Sequence, residues 1–119
     1  MKESDIVTIH TPLMPAIRGF ISEKMLGLMK FTAFLINCAR GPIVDLAALA
    51  KALQDGKIAG AGVDVFDMEP PIPTDYHMMK TPNSVLTSHI VFFMKEAMIR
   101  RAEITFNDNI AQRDRKSVV

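Results

Sequence analysis

The chain has 119 residues, 49% of them hydrophobic and 23% charged, with a formal net charge of +1. This is ordinary globular usage and enough chain for one modest core, so one domain or part of one is expected. So small a charge leaves no electrostatic footprint for nucleic acid or an anionic membrane as partner, and a single cysteine, Cys38, excludes an internal disulfide framework.

No apolar run approaches the roughly 20 residues that span a bilayer, and the first residues lack a signal-peptide core, so a cytoplasmic protein is expected. No Cys and His stand at zinc spacing, so no metal is expected. Nine Met residues beside no Trp read as adaptable packing in the core.

In chain order, Ile6 to Ile9 is a short β-branched run without polar alternation, which predicts a strand buried on both faces. A turn follows at Thr11-Pro12-Leu13-Met14-Pro15. Ser22 is placed to cap a helix whose Met25, Leu28 and Met29 share one face and which ends near Lys30. Ala33 to Ile36 predicts a second buried strand. Asp45 can cap a helix with Leu46, Leu49, Ala50 and Leu53 on one stripe, and Asp55-Gly56 supplies its exit turn. Val63 to Phe66 reads as a third strand, preceded by Gly60-Ala61-Gly62, whose small residues would let a helix pack close to the sheet.

The loop from Glu69 to Pro82 contains Pro70, Pro71, Pro73 and Pro82 and is expected to hold no regular element. Val85 to Thr87 predicts a fourth strand. From about Met94 a helix sets Ile99, Ala102, Phe106 and Ile110 on one side and ends on the polar residues Gln112-Arg113-Asp114-Arg115. The order β-α-β-α-β-loop-β-α predicts an α/β fold with a parallel sheet and right-handed crossovers, and ligands at the carboxyl ends of the strands. Arg40, Asp64, Glu69 and His89 all fall at that edge.

A guanidinium, a carboxylate and an imidazole meeting in one crevice suit the reduction of a 2-keto acid by hydride transfer. Arg40 can hold a substrate carboxylate through two parallel hydrogen bonds, which the point charge of Lys does less well. His89 can protonate the carbonyl oxygen as hydride arrives, and Glu69 can orient the imidazole and favour its charged form. No side chain supplies a hydride, so a cofactor is required.

Three stretches carry a resemblance: Asn37-Cys38-Ala39-Arg40-Gly41-Pro42-Ile43-Val44-Asp45, Gly62-Val63-Asp64-Val65-Phe66-Asp67-Met68-Glu69-Pro70, and Pro82-Asn83-Ser84-Val85-Leu86-Thr87-Ser88-His89-Ile90. In order and spacing they resemble the signatures of D-isomer-specific 2-hydroxyacid dehydrogenases, over roughly residues 3 to 112. The resemblance implies the later half of a Rossmann-type NAD-binding domain at 1-112 and a polar tail at 113-119. It implies Arg40 as substrate anchor, His89 as acid/base and Glu69 as its partner. It also implies cofactor contacts: Thr11 and Pro12 beside the adenosine ribose, Cys38, Ala39 and Arg40 by the nicotinamide half, and Asp64 on the nicotinamide carboxamide. The partner would be a small 2-keto or 2-hydroxy acid, and the intact enzyme a homodimer. His89 followed by Phe92-Phe93 is similar to the D-lactate and D-hydroxyisocaproate branch, too little to name a substrate.

Departures from the family pattern stand beside it. Ile17 takes the place of a Thr or Asn that donates to the cofactor phosphate, a loss of roughly 0.5 to 1.5 kcal/mol. Ser88 stands where Pro commonly precedes the histidine. The chain has no G-x-G-x-x-G after a strand and no acidic residue to read the ribose, and Gly60-Ala61-Gly62 precedes its strand and so cannot serve. The chain is therefore expected to be cut at both ends, without the family's substrate domain, and to neither bind NAD appreciably nor turn over alone. NADP stays open beside NAD, because the discriminating residue is in the half not present.

Plainer roles compete at each position. Arg40 alone would be read as a surface arginine pairing with Asp45, Glu69 as a solvated loop acid, Asp64 as a turn-forming acid and Cys38 as a small buried hydrophobe. His10 and His77 are expected to be structural or exposed. The second functional class is a non-catalytic module that pairs through its open sheet edge.

Overall fold

The computed structural model describes residues 1–68, 71–90 and 93–116, with side chains described through residue 107. The chain divides into two compact units, Met1–His89 and Ile90–Val119. The first holds four strands, β1 (Ile6–Ile9), β2 (Phe34–Asn37), β3 (Gly60–Val63) and β4 (Ser84–Leu86), all parallel and in the order β1-β2-β3-β4. Helices α1 (Glu23–Leu26) and α2 (Leu46–Gln54) connect the first three. This is the expected Rossmann-like α/β arrangement, each strand returning in parallel after a crossover. The second unit is built on α3 (Lys95–Lys116), which runs through the residues read as a polar end; on it Ile99 and Phe106 are exposed. Among the described residues no helix is long and apolar enough to cross a membrane.

Strand burial differs from the expectation of two covered faces. Register places Ile6, Phe34 and Gly60 side by side, then Ile36, Gly62 and Val85. This row is open: Ile6 is 65%, Phe34 47% and Val85 69% exposed. The alternate row, with Ile9, Leu35, Ala61 and Val63, is buried in one cluster with Leu26, Leu46, Leu49 and Leu53. A β-branched run without alternation does not reveal which face the helices cover, because both faces are equally apolar in sequence.

The third strand begins three residues earlier than expected and takes in Gly60-Ala61-Gly62. These glycines make room for neighbouring strand side chains, not for a helix. A Cβ on Gly60 would meet the Phe34 ring at 2.9 Å, and one on Gly62 would meet Ile36 Cδ1 at 3.1 Å.

The first helix also ends early. After Leu26 the bonds tighten to Leu28 N–H on Met25 O and Met29 N–H on Leu26 O, a three-residue spacing that turns Leu26 and Met29 inward and leaves Leu28 exposed. Ser22 stands at the N-cap without a side-chain hydrogen bond.

The second helix follows its local signals closely. Asp45 accepts from Ala48 N–H at 3.0 Å, the four expected apolar residues are buried, and Gly56 takes a φ of +67° at the exit. Replacing Asp45 with Ala should cost about 1 kcal/mol by leaving a first-turn N–H unpaired. Urea unfolding should show a lower midpoint at unchanged slope.

The proline-rich connection contains a regular element after all, a 3-10 turn at His77–Lys80. No proline falls between Pro73 and Pro82, and Met78 drives the turn into the core beside α2. Methionine is less of a core residue than composition implies: Met29 and Met78 are buried, whereas Met14, Met68, Met79, Met94 and Met98 are exposed.

Candidate active site

The carboxyl end of β2 is built on a buried amide. Asn37 is fully buried, its Oδ1 accepting from Ala39 N–H at 3.1 Å and its Nδ2 donating to Arg40 O at 3.1 Å. Both ends of the side chain are thus used to fold Cys38, Ala39 and Arg40 into a tight loop, which pairs both polar atoms of the buried amide. Directly after it, Gly41 lies against the backbone of Phe66, where a Cβ would stand 1.9 Å from Phe66 O. The loop after β2 is therefore held to the loop after β3 by main chain. Arg40 itself is exposed, its Nη1 donating to Ala39 O at 2.7 Å. Asp45 is used in capping α2, so the surface pairing that competes for Arg40 is not the arrangement seen.

At the end of β3, Asp64 is 2% exposed. Its N–H donates to Asn37 O at 3.0 Å, and its Oδ1 accepts from the Thr87 hydroxyl at 2.5 Å. Thr87 N–H in turn donates to Val63 O at 3.0 Å. The ends of β2, β3 and β4 are thereby tied through one residue, Asp64, by its main chain to β2 and by its carboxylate to Thr87. Burial, and then the negative charge of Asp64, push the Cys38 thiol above its ordinary range, which favours the neutral thiol over the thiolate.

His89 follows β4 with a φ of +57°, a left-handed conformation uncommon for a residue with a Cβ. Such backbone strain collects where a side chain has to be aimed. Arg40, Asp64, Phe66, Met68 and His89 line one cleft of about 350 Å³ at the carboxyl edge of the sheet. The structure therefore brings together three of the four residues expected there; Glu69 lies outside the described residues, as does Phe92. Cys38 and Ala39 form the loop behind Arg40. Thr11 and Pro12 are exposed at the end of β1, where Thr11 lines a separate, mainly apolar hollow of about 500 Å³ with Ile9, Phe20 and Met25. His10 bonds through Nε2 to the Thr8 hydroxyl at 2.8 Å, and His77 lies over the Tyr76 ring; neither lines the cleft. Among the described residues no group of three or more His, Cys, Asp or Glu could hold a metal ion.

The linkers Asn37, buried, and Thr87, half-buried, and the space required at Gly41 have no role legible in the sequence. A signal existed for Asn37, since an amide ending an apolar strand has to be satisfied inside the fold. Gly41 and Thr87 depend on partners distant in sequence, which no local pattern reports.

Residues 1–91 match the family model described as D-isomer specific 2-hydroxyacid dehydrogenase, NAD binding domain. A glyoxylate reductase of Thermofilum pendens is 48% identical over 111 residues, covering 93% of this chain and 32% of that protein. A glycerate dehydrogenase of Methylorubrum extorquens is 45% identical over 101 residues, covering 82% of this chain and 32% of that protein. Among solved structures, the NAD-complexed D-isomer specific 2-hydroxyacid dehydrogenase of Lactobacillus delbrueckii ssp. bulgaricus superposes with a TM-score of 0.76 at 42% identity, over 95% of this chain and 38% of that one. The chain thus spans about a third of the length of the curated relatives it matches.

Proposed function

From the premise that the chain belongs to the family of D-isomer specific 2-hydroxyacid dehydrogenase NAD binding domains, we propose that it supplies the nicotinamide-side and acid/base parts of an oxidoreductase acting on small D-2-hydroxy acids. The observation that carries this reading is the shared cleft of Arg40, Asp64 and His89 at the strand ends. In this reading residues 1-112 are the later half of the nucleotide-binding domain, 113-119 its polar tail, and the intact enzyme a cytoplasmic homodimer. The first relatives act, by their names, on glyoxylate and glycerate, and a 2-keto acid of that size is the proposed substrate.

The described residues fit the nicotinamide end of a dinucleotide: a buried strand-end carboxylate at Asp64 and a loop held rigid by Asn37. Asp64 would hold the carboxamide, the Cys38 to Arg40 loop would border the ring, and Thr11 and Pro12 the adenosine ribose. NAD, or NADP in its place, supplies the hydride when bound. Arg40 has five N–H donors, so its bond to Ala39 O leaves a two-donor fork for a substrate carboxylate. That grip orients the keto carbon and draws electron density from the carbonyl. His89 gives a proton to the carbonyl oxygen in reduction and takes it back in oxidation, with Glu69 as the carboxylate that orients its ring.

By itself the chain, without a glycine-rich phosphate cradle, is proposed to bind NAD too weakly to turn over. Calorimetry showing micromolar NAD affinity, or keto-acid-dependent NADH oxidation by the pure chain, would falsify that part. The catalytic part is tested in a chimera, with the matched residues of the Thermofilum pendens glyoxylate reductase replaced by those of this chain. Glyoxylate-dependent NADH oxidation is expected, and a folded, NAD-binding but inert chimera would overturn the reading.

A second reading is a non-catalytic module pairing through its exposed sheet edge, with itself or with a complementary half; β1 stands at the end of the strand order, and Ile6 on it is exposed. Pairing with itself requires a stable homodimer by size-exclusion mass measurement together with an inert chimera.

A further inference from the structure

The connection from β3 to β4 supplies Phe66, Met68 and Ile72 to the cleft, yet its described residues between Val63 and His77 form no helix or strand to hold it. Ordering such a segment costs backbone entropy at every residue, so specific ties have to hold these side chains in place. One tie is Met78 in the core. A second joins two residues nine positions apart: the Tyr76 hydroxyl donates to Asp67 Oδ1 at 2.6 Å. The Tyr76 ring is buried, stands edge-on to Phe66 with centroids 6.0 Å apart, and has the His77 ring at a centroid distance of 4.1 Å. Its backbone is fixed as well, through Tyr76 N–H on Pro73 O at 3.0 Å and Met79 N–H on Tyr76 O at 2.8 Å.

We propose that Tyr76 is a positioning residue for the substrate cleft: its hydroxyl on Asp67 and its ring on Phe66 clasp the loop, so that Phe66, Met68 and Ile72 form a fixed wall of the cleft that Arg40 and His89 also line. The proposal rests on the dehydrogenase reading for the meaning of that cleft. Packing alone would be served by Phe. The hydroxyl adds a charge-assisted bond, and because Asp67 is exposed its carboxylate keeps its hydration while accepting it. Burial first, and then the bond to Asp67 and its charge, push the phenol well above the ordinary tyrosine range. It therefore stays a donor at every pH at which such an enzyme would work, and the clasp does not open by titration of Tyr76.

The chain has one tyrosine and no tryptophan, so phenolate absorbance reports Tyr76 alone. In the full chain, Tyr76→Phe and Asp67→Ala should each speed amide hydrogen exchange about tenfold at positions 76 and 79, whose N–H groups donate within the loop to the carbonyls of residues 73 and 76, while Leu49 and Leu53 in α2 keep their rates. Asp67→Ala should also move the phenol titration down toward the ordinary tyrosine value of about 10. In the chimera, Tyr76→Phe should raise KM for glyoxylate about three- to tenfold with kcat within about twofold. Unchanged loop exchange and phenol titration in Asp67→Ala would overturn the clasp. Faster loop exchange with an unchanged KM would overturn its positioning role. An inert unsubstituted chimera would strike the dehydrogenase reading, while the exchange and titration results still decide whether the clasp holds the loop.

Discussion

Alanine at position 41 is expected to destabilise the protein by about 2 to 4 kcal/mol, more than any other single added methyl group among its glycines. The added Cβ would stand 1.9 Å from Phe66 O, 2.0 Å from Phe66 C and 2.6 Å from Asp67 N. All three are main-chain atoms, so no rotamer change relieves the clash, and one of the two strand-end loops has to move. Against a total stability of about 5 to 15 kcal/mol for a domain, this is a large fraction.

Gly19 provides the internal comparison. It has a φ of +65°, but a Cβ added there would have nothing within 4 Å, so Gly19→Ala meets only the left-handed backbone penalty of about 1 to 2 kcal/mol. Urea unfolding of both variants separates need for space from need for conformation. If Gly41→Ala proves no more harmful than Gly19→Ala, the close main-chain contact between the two loops is wrong. Function should follow the same displacement, since Arg40 precedes Gly41 and would be carried away from Asp64 and His89; the chimera bearing Gly41→Ala should lose activity even at temperatures where it stays folded.

What could be read from the sequence was whatever local chemistry decides. The second helix is specified within its own eleven or so residues: a capping Asp45, a stripe of Leu46, Leu49, Ala50 and Leu53, and the Asp55-Gly56 exit. The grouping of Arg40, Asp64 and His89 was legible for another reason. Parallel strands joined by crossovers bring every strand's carboxyl end to one edge, whatever the details of packing. Non-local chemistry was not legible. The start of β3 depends on Phe34 and Ile36 filling the space above Gly60 and Gly62, and the open face of the sheet depends on which side the helices take. Tyr76 and Met78 sit in a segment whose prolines advertise a surface excursion, but their burial is decided by α2 and by Asp67.

Replacing His89 by Gln in the chimera is expected to lower kcat by about a hundred- to ten-thousandfold, the span that a lost general acid covers. Glutamine keeps the approximate size and a hydrogen-bonding end, so substrate anchored on Arg40 should still bind and KM should move far less than kcat. The backbone at position 89 has a φ of +57°, a strain that both side chains share, so a change in stability is not the expected cause of lost activity; matched thermal unfolding midpoints would establish this. His77 supplies the contrast. It is exposed, stacks on Tyr76 and does not line the cleft, so His77→Gln should leave kcat far closer to the unsubstituted value. The reverse ranking, with His77→Gln the more damaging to kcat, would move the proton-transfer role away from the cleft and remove the acid/base assignment on which hydride transfer to a keto acid depends.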